Sequence, residues 1–288
     1  MKIKVPATSA NVGCGFDSMG FAVNLYLEVE VLKEATSWEV IHDLGDDIPR
    51  DEHNLIVSTA LRIAPDLTPR VLRVKNEVPI ERGLGSSSTA MVAGIELAHR
   101  LSDVKLRLDE KLQIACEVEG HPDNVAPAIL GGFVVANYHD NELSYVRVDI
   151  DDVGLVAFVP DRKMSTEEMR KVLPDELSYK DAVRASAIAN TMLAHLLTGN
   201  FIEAGKLIES DLLHEPYRAT LLPELAEVRA IAREHDAYAT YLSGAGSTIM
   251  TMLPVDKVDD LVVQLSNKAE ATVLPLKIIA RGAHKEIE

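Results

Sequence analysis

Cysteine is nearly missing from this chain. Cys14 and Cys116 are the two in 288 residues, too few for a disulfide framework and suited to a reducing interior. Positive charge is also short: 29 Lys and Arg face 45 Asp and Glu, a net charge of −16. That balance argues against nucleic acid as a partner, because affinity there rests on cations neutralising phosphates. An anionic small molecule would need locally placed cations or a metal. No apolar run reaches the roughly 20 residues that crossing a bilayer requires, and the Met1–Pro6 start has no signal-peptide apolar core. A cytoplasmic protein without a membrane partner is expected. Familiar catalytic signatures are missing too. There is no Gly-x-Ser-x-Gly elbow, no Cys-His pairing that can be singled out, no zinc-like spacing, and no Gly-Lys-Ser/Thr phosphate loop. No fixed-period repeat or low-complexity segment occurs.

What is present reads as a globular protein with a real core, 47% hydrophobic and 26% charged, of a length that suits one large or two intimate domains. Residues 2–5 alternate as a strand ending at Pro6, and Phe21 to Leu32 alternates as a long half-buried strand. The acidic, turn-rich 43–53 stretch reads as a surface loop. Helical spacing covers 54–64, and Val71–Val74 is a strand. A helix follows residues 86–88, and a second spans Leu108–Glu119 with Leu112, Ala115 and Val118 on one side. Gly131–Tyr138 and Leu143–Ile150 form a hairpin around Asp140-Asn141. Gly154–Val159 is an apolar strand, and the domain boundary is placed near 151, dividing the chain into 1–150 and 151–288. Beyond it lie helices at 165–173, 179–198, 201–213, 222–235 and 256–269, with strands at 238–242, 248–253 and 272–280. This order suggests an α+β fold with antiparallel-rich sheets.

The segment that organises the rest is 79–90, Pro-Ile-Glu-Arg-Gly-Leu-Gly-Ser-Ser-Ser-Thr-Ala. Gly83 and Gly85 permit positive φ and leave backbone N–H groups free to turn toward a ligand. A helix opening at Ser86, Ser87 and Ser88 presents unsatisfied amides and the positive end of its dipole, a place to hold phosphate. The same residues also serve as ordinary turn and cap chemistry. With no lysine inside the loop, amides, hydroxyls and a metal must carry the neutralisation of a triphosphate. Two other loops stand out, 7–20 and 243–247. The first is crowded with compact polar residues that suit either a turn or a small polar ligand. A phosphoryl-transfer site also needs a carboxylate for Mg²⁺, and Glu117 or Glu119 at the end of the second helix fits that role. Asp123-Asn124 follow directly, and His121 stands beside Pro122.

Taken in order, four motifs resemble those of the GHMP small-molecule kinases. They are Val5-Pro6-Ala7-Thr8-Ser9-Ala10-Asn11-Val12-Gly13-Cys14-Gly15-Phe16-Asp17, Gly83-Leu84-Gly85-Ser86-Ser87-Ser88, Gly120-His121-Pro122-Asp123-Asn124-Val125-Ala126-Pro127 and Leu242-Ser243-Gly244-Ala245-Gly246-Ser247. Within that superfamily they are similar to the homoserine kinases, because the Gly-Glu-His-containing first motif of the galactose and mevalonate branches is absent. The resemblance covers residues 3–250 at least. It implies a two-lobed α+β protein, with a ribosomal-protein-like β-α N-terminal lobe, a ferredoxin-like C-terminal lobe and the site between them. It implies ATP and Mg²⁺, with ATP on Pro79, Arg82, Gly83, Leu84, Gly85, Ser86, Ser87, Ser88 and Thr89, and the metal on Ser88 and a glutamate that alignment makes Glu117. It implies an amino-acid pocket of Asn11, Asp17, His121, Thr166, Arg170, Arg218 and Gly244, the two arginines gripping a carboxylate. Asp17, Asp123 and Asn124 are the catalytic candidates, a homodimer is the family expectation, and L-homoserine is the implied acceptor. The alternatives are another acceptor, such as an isoprenoid precursor, or a non-catalytic nucleotide- or amino-acid-binding module on the same scaffold.

Overall fold

The computed structural model describes residues 1–268 and 270–286; the last residue of the expected 256–269 helix and the last two of the expected C-terminal lobe lie outside them. The chain runs β1 (Lys2–Ala10), β2 (Met19–Glu34), β3 (Glu39–Ile41), α1 (Leu55–Ile63), β4 (Arg70–Asn76), α2 (Ser86–Leu101), α3 (Leu108–Glu119), α4 (Val125–Leu130), β5 (Phe133–His139) and β6 (Glu142–Val148). It continues through β7 (Gly154–Pro160), α5 (Thr166–Lys171), α6 (Tyr179–Leu197), α7 (Phe201–Ile208), α8 (Glu215–Arg218), α9 (Glu224–Glu234), β8 (Ala239–Leu242), β9 (Ile249–Leu253), α10 (Val258–Ser266), β10 (Ala271–Leu276) and β11 (His284–Lys285).

Among the described residues the N-terminal sheet has seven strands, built around β2. One edge of β2 pairs antiparallel with β1. Its other edge is shared, with Met19–Phe21 on β5 and Leu27–Glu34 on β4. A strand of this length can serve both because each partner needs only part of it. The first strand does not stop at Pro6. The register shifts between Pro6 and Ala7, so the residue that cannot donate to a ladder sits at an irregularity and the strand continues. Thr8 and Ser9 thus belong to β1 rather than to a loop. The Asp140-Asn141 turn has positive φ at both residues, 50° and 62°, the pattern of a tight two-residue hairpin. Helices α2 and α4 lie on β1 and β2, with α1 and α3 packed against them. Leu72, Ile95, Leu97 and Leu112 are fully buried in the resulting core.

The C-terminal sheet is antiparallel in the order β10-β7-β9-β8. Counted within the lobe this is 4-1-3-2 with helical crossovers, the ferredoxin-like arrangement the resemblance implied. β7 is buried along its whole length, as a strand covered on both faces should be. One face holds Phe158, Leu225, Val228 and Leu261 beneath α9 and α10. The other merges with the N-terminal lobe: Phe21 and Val23 of β2 share a cluster with Leu155, Ala157, Met192 and Tyr241.

The division at 151 falls between β6 and β7, but the chain after Leu276 does not remain with the C-terminal sheet. Ile279 N–H donates to the Ala22 carbonyl at 3.0 Å, Ala283 N–H to Ala128 at 2.8 Å, and β11 pairs with β1. The expected 151–288 lobe is corrected accordingly: its tail returns to the first sheet. The expected 201–213 helix also ends early, at Ile208. Asp211 accepts the N–H groups of Leu213, His214 and Glu215 at 2.7–2.9 Å, so a carboxylate cap starts a new turn, α8, which carries Arg218.

Candidate active site

The N-terminus of α2 opens into a cavity of about 340 Å³ between the lobes. Gly85 stands at the N-cap in the left-handed region with φ 69° and no side chain to cap the helix. A Cβ there would lie 2.2 Å from Thr8 Oγ1, so the usual Ser or Asp cap is sterically excluded. The first intrahelical bond runs from Thr89 N–H to the Gly85 carbonyl at 2.8 Å. The amides of Ser86, Ser87 and Ser88 precede it and are unpartnered by the helix, with the positive dipole end behind them. All three serines line the cavity with Gly83 and Gly85. Pro79, Arg82, Leu84 and Thr89, expected on the same ligand, do not line it. Leu84 is fully buried, Thr89 turns its hydroxyl to the Ser86 carbonyl, and Arg82 donates to the Asp161 carbonyl.

Gly83 joins this loop to the second glycine turn. Its φ is 79°, and a Cβ would fall 2.3 Å from the Ser243 carbonyl oxygen. Ser243 Oγ donates to the Gly83 carbonyl at 2.7 Å and lies 2.9 Å from Ser9 Oγ, itself 3.0 Å from the buried Tyr241 hydroxyl. The two glycine loops and the end of β1, distant in sequence, are thus tied by one polar chain.

The carboxylate beside Ser88 is Glu119: Ser88 Oγ donates to Glu119 Oε1 at 3.2 Å. Glu119 lines the cavity, whereas Glu117 is exposed and does not. The alignment-based choice of Glu117 is corrected by helix geometry. Residue 119 follows the buried Leu112, Ala115 and Cys116 on the packed face of α3, and residue 117 points about 160° away from it. Burial pushes the Glu119 carboxyl above its ordinary pKa, aided by Asp123 and opposed by His121, Ser88 and Arg170. A hydroxyl and a partly desolvated carboxylate beside free helix amides form a hard-oxygen donor set that fits Mg²⁺.

Across the cavity lie the polar groups of the first loop. Asn11 and Asp17 take left-handed φ, 69° and 53°, strain of the kind kept where a site over-determines the backbone. Asn11 Nδ2 donates to the Gly244 carbonyl at 2.9 Å, and its Oδ1 accepts the Asp17 N–H at 3.0 Å. Arg170 grips Asp17 with both terminal guanidinium nitrogens, at 2.8 and 3.1 Å. His121 Nδ1 is 2.7 Å from Asp123 Oδ1. Burial works against protonation of His121, but the Asp123 hydrogen bond and the charges of Asp123, Asp17 and Glu119 outweigh it and raise its pKa. Asn124 Oδ1 accepts from Thr8 Oγ1 at 2.7 Å. Asp17, His121 and Asp123 offer ligand atoms within 4.8 Å of one another, but both Asp17 oxygens are spent on Arg170, and His121 Nδ1 and Asp123 Oδ1 on each other.

Arg218 is 2% exposed. Its Nε donates to the Met169 carbonyl at 3.0 Å and its Nη1 to Gly244 at 3.1 Å, while the guanidinium lies 5.2 Å from the Phe16 ring centroid. Burial, with Arg170 nearby, lowers its pKa to about 10. Arg218, Arg170, Thr166 and Gly244 all line the cavity. One end therefore offers amides and the Ser88–Glu119 pair, the other two guanidinium groups.

Comparison with known proteins gives the same answer over the whole chain. The GHMP kinases N terminal domain family matches residues 54–132, and the GHMP kinases C terminal family matches 192–271. A homoserine kinase of Lactococcus lactis subsp. cremoris is 51% identical over 292 residues, covering 99% of each chain. The chain belongs to the homoserine kinase family. One of Streptococcus mutans is 49% identical, again with 99% of each chain covered. The solved structure of a putative homoserine kinase from Listeria monocytogenes superposes with a TM-score of 0.88 at 44% identity, covering 98% of each chain. Among the described residues no helix is long and apolar enough to cross a membrane. Two residues that were not among the expected site residues pack beside Arg218. Phe16 and His214 stack at 5.0 Å behind Arg218. Phe16 lies inside the first motif, but nothing in the sequence marks His214 as buried.

Proposed function

We infer that this protein transfers the γ-phosphoryl group of ATP to the side-chain hydroxyl of L-homoserine, giving O-phospho-L-homoserine on the route to threonine. The observation that carries this reading is a single cavity with uncapped helix amides at one end and two arginines at the other. Phosphates suit the first end and an amino-acid carboxylate the second.

The amides of Ser86–Ser88 and the backbone at Gly83 and Gly85 hold the phosphates. Ser88 and Glu119 are the residues suited to Mg²⁺, which when bound supplies neutralisation of the phosphate charge. Arg218, already anchored by two backbone carbonyls, receives the substrate carboxylate with Arg170. Asp17 is paired with Arg170, so the entering zwitterion exchanges partners: its carboxylate takes Arg170 and its ammonium or hydroxyl takes Asp17. Asn11 and the Gly244 carbonyl fix that loop, and Thr166 closes the same wall. His121 and Asp123 border the acceptor, with Asn124 braced by Thr8.

Neither carboxylate beside the acceptor is a free base, since Asp17 passes from the Arg170 guanidinium to the cationic end of the substrate and Asp123 pairs with an imidazole whose proton it favours. Catalysis therefore rests on positioning and charge neutralisation, and the hydroxyl proton leaves on the transferring phosphoryl group. The family also leads to a cytoplasmic homodimer, which sedimentation of the purified chain tests. The activity is tested with ATP and a panel of acceptors (homoserine, serine, threonine, mevalonate) read by phosphorus NMR. Phosphorylated homoserine is expected; preference for mevalonate, or ADP without a phosphorylated amino acid, refutes the reading.

A further inference from the structure

We propose that His214 is a positioning residue for the amino-acid carboxylate, acting through Arg218. The inference rests on the homoserine kinase reading above and adds a residue to it. His214 is fully buried and touches both the first loop and the arginine. Its Nε2 lies 2.9 Å from the Gly13 carbonyl oxygen, which can only accept, so Nε2 carries the proton. Its Nδ1 lies 3.3 Å from Arg218 Nη1, which can only donate, so Nδ1 is the acceptor. The two contacts fix one neutral tautomer. Burial holds the imidazole below its ordinary pKa, and Arg218 adds to this against the opposing charges of Asp211 and Glu215. Asp211 is 3.5 Å from Nε2 but is already occupied by three backbone N–H groups.

A count of guanidinium donors gives the consequence. Arg218 has five N–H groups. Nε goes to Met169, and the two on Nη1 go to Gly244 and His214. Among the described residues Nη2 has no protein partner, and Arg218 lines the cavity. Without the His214 acceptor an Nη1 proton would be buried and unsatisfied, and the group would turn to satisfy it. With the acceptor in place the plane is fixed and the Nη2 pair is kept for ligand. His214 also stacks on Phe16 at 18° between ring planes, and Arg218 and Arg170 lie 5.2 and 5.7 Å from the same ring. The histidine thereby registers the carboxylate grip against the loop that bears Asp17.

The test compares His214→Asn, His214→Gln and His214→Leu in steady-state kinetics with homoserine and ATP varied separately. Asn places an oxygen near the Nδ1 position, whereas Gln reaches the Nε2 position and offers Arg218 nothing. We expect Gln and Leu to raise the homoserine KM about tenfold or more, with Asn within about threefold of wild type, since a hydrogen bond to a charged group is at stake. The ATP KM and kcat should stay within about twofold for all three. A parallel rise in both KM values, or Asn behaving like Leu at equal thermal stability, overturns the proposal. So does a homoserine KM unchanged in Gln and Leu. Should Leu fail to fold, the Asn–Gln contrast decides alone. Wild type that does not phosphorylate homoserine refutes the underlying function; active wild type with insensitive variants refutes only the positioning role.

Discussion

Glu119→Gln and Glu117→Gln are nearly the same edit, two residues apart on α3, and they should have very different consequences. Glu119 lines the cavity, accepts a hydrogen bond from Ser88, and is desolvated enough to raise its pKa. Glu117 is exposed. Glutamine keeps an oxygen for the Ser88 hydroxyl and removes only the charge. A unit-charge pair at 4 Å is worth about 4 kcal/mol at an effective dielectric of 20. A divalent ion doubles that attraction, while its other ligands and water recover much of the loss. A net penalty of about 2–4 kcal/mol, or roughly 30- to 1000-fold in rate, is the expected result for Glu119→Gln. For Glu117→Gln a surface change within about 0.5 kcal/mol, roughly twofold, is expected. The assay is turnover against Mg²⁺ concentration at fixed ATP and homoserine, with the midpoint for Glu119→Gln moving to higher Mg²⁺. If Glu117→Gln is the damaging change, or Glu119→Gln stays within twofold at limiting Mg²⁺, the Ser88–Glu119 assignment is wrong.

Asp17→Asn keeps the shape of the side chain but removes the charge that pairs Arg170 and meets the substrate; turnover should fall roughly 10- to 100-fold, about 1.5–3 kcal/mol, and near-normal kcat would remove Asp17 from the chemistry. Gly83→Ala places a Cβ 2.3 Å from the Ser243 carbonyl at a φ of 79°, so the strained backbone alone should cost about 1–2 kcal/mol and thermal melting should show at least that, with weaker ATP binding; an unchanged melting temperature contradicts the close packing of the two glycine turns. His121 has its folded-state pKa raised by Asp123 and its acidic neighbours, so its pairing contributes stability that is complete below the unfolded value of about 6.5 and is lost as pH rises through the folded value. The stability gap between wild type and His121→Gln should therefore be widest at acid pH and shrink toward alkaline pH in thermal melts; a gap that grows with pH has the wrong sign.

Much of the fold can be read from alternation and punctuation. The long strand that became β2, the Asp140-Asn141 hairpin and the apolar β7 all follow from short-range pattern, because each is decided by neighbours within a few residues. What escaped depends on partners far away in the chain. β3 is three residues whose only sequence cue is one buried Val40, and it exists because β4 offers an edge. α4 is made of Val125-Ala126-Pro127-Ala128-Ile129-Leu130 and goes unmarked in the sequence because proline sits inside it, yet an amide at position three of a helix has no intrahelical hydrogen bond to lose. The tail from Lys277 onward looks like the end of the last strand, and hydrogen bonds to Asn24, Ala22, Gly132 and Ala128, distant in sequence, divert it to the other lobe.

The site divides along the same line. Gly83 and Gly85 are legible because no other residue tolerates both their φ and their neighbours, and the serine run names the helix start behind them. The choice between Glu117 and Glu119 was legible in principle as well: Leu112 and Ala115 define the packed face of α3, and counting four on from Ala115 reaches Glu119. Aligning motifs without that count selects the glutamate that faces away from the cavity. Arg218 and His214 are different, since an arginine after Glu-Pro-Tyr and a histidine after Leu-Leu both read as surface residues. The Met169 and Gly244 carbonyls hold Arg218 and the Gly13 carbonyl holds His214, and those three come from α5, the second glycine turn and the first loop. A buried guanidinium with all but one nitrogen satisfied by two backbone carbonyls and an imidazole can only be recognised once the three segments are brought together, and a cationic site at the junction of two lobes has to be assembled in that way.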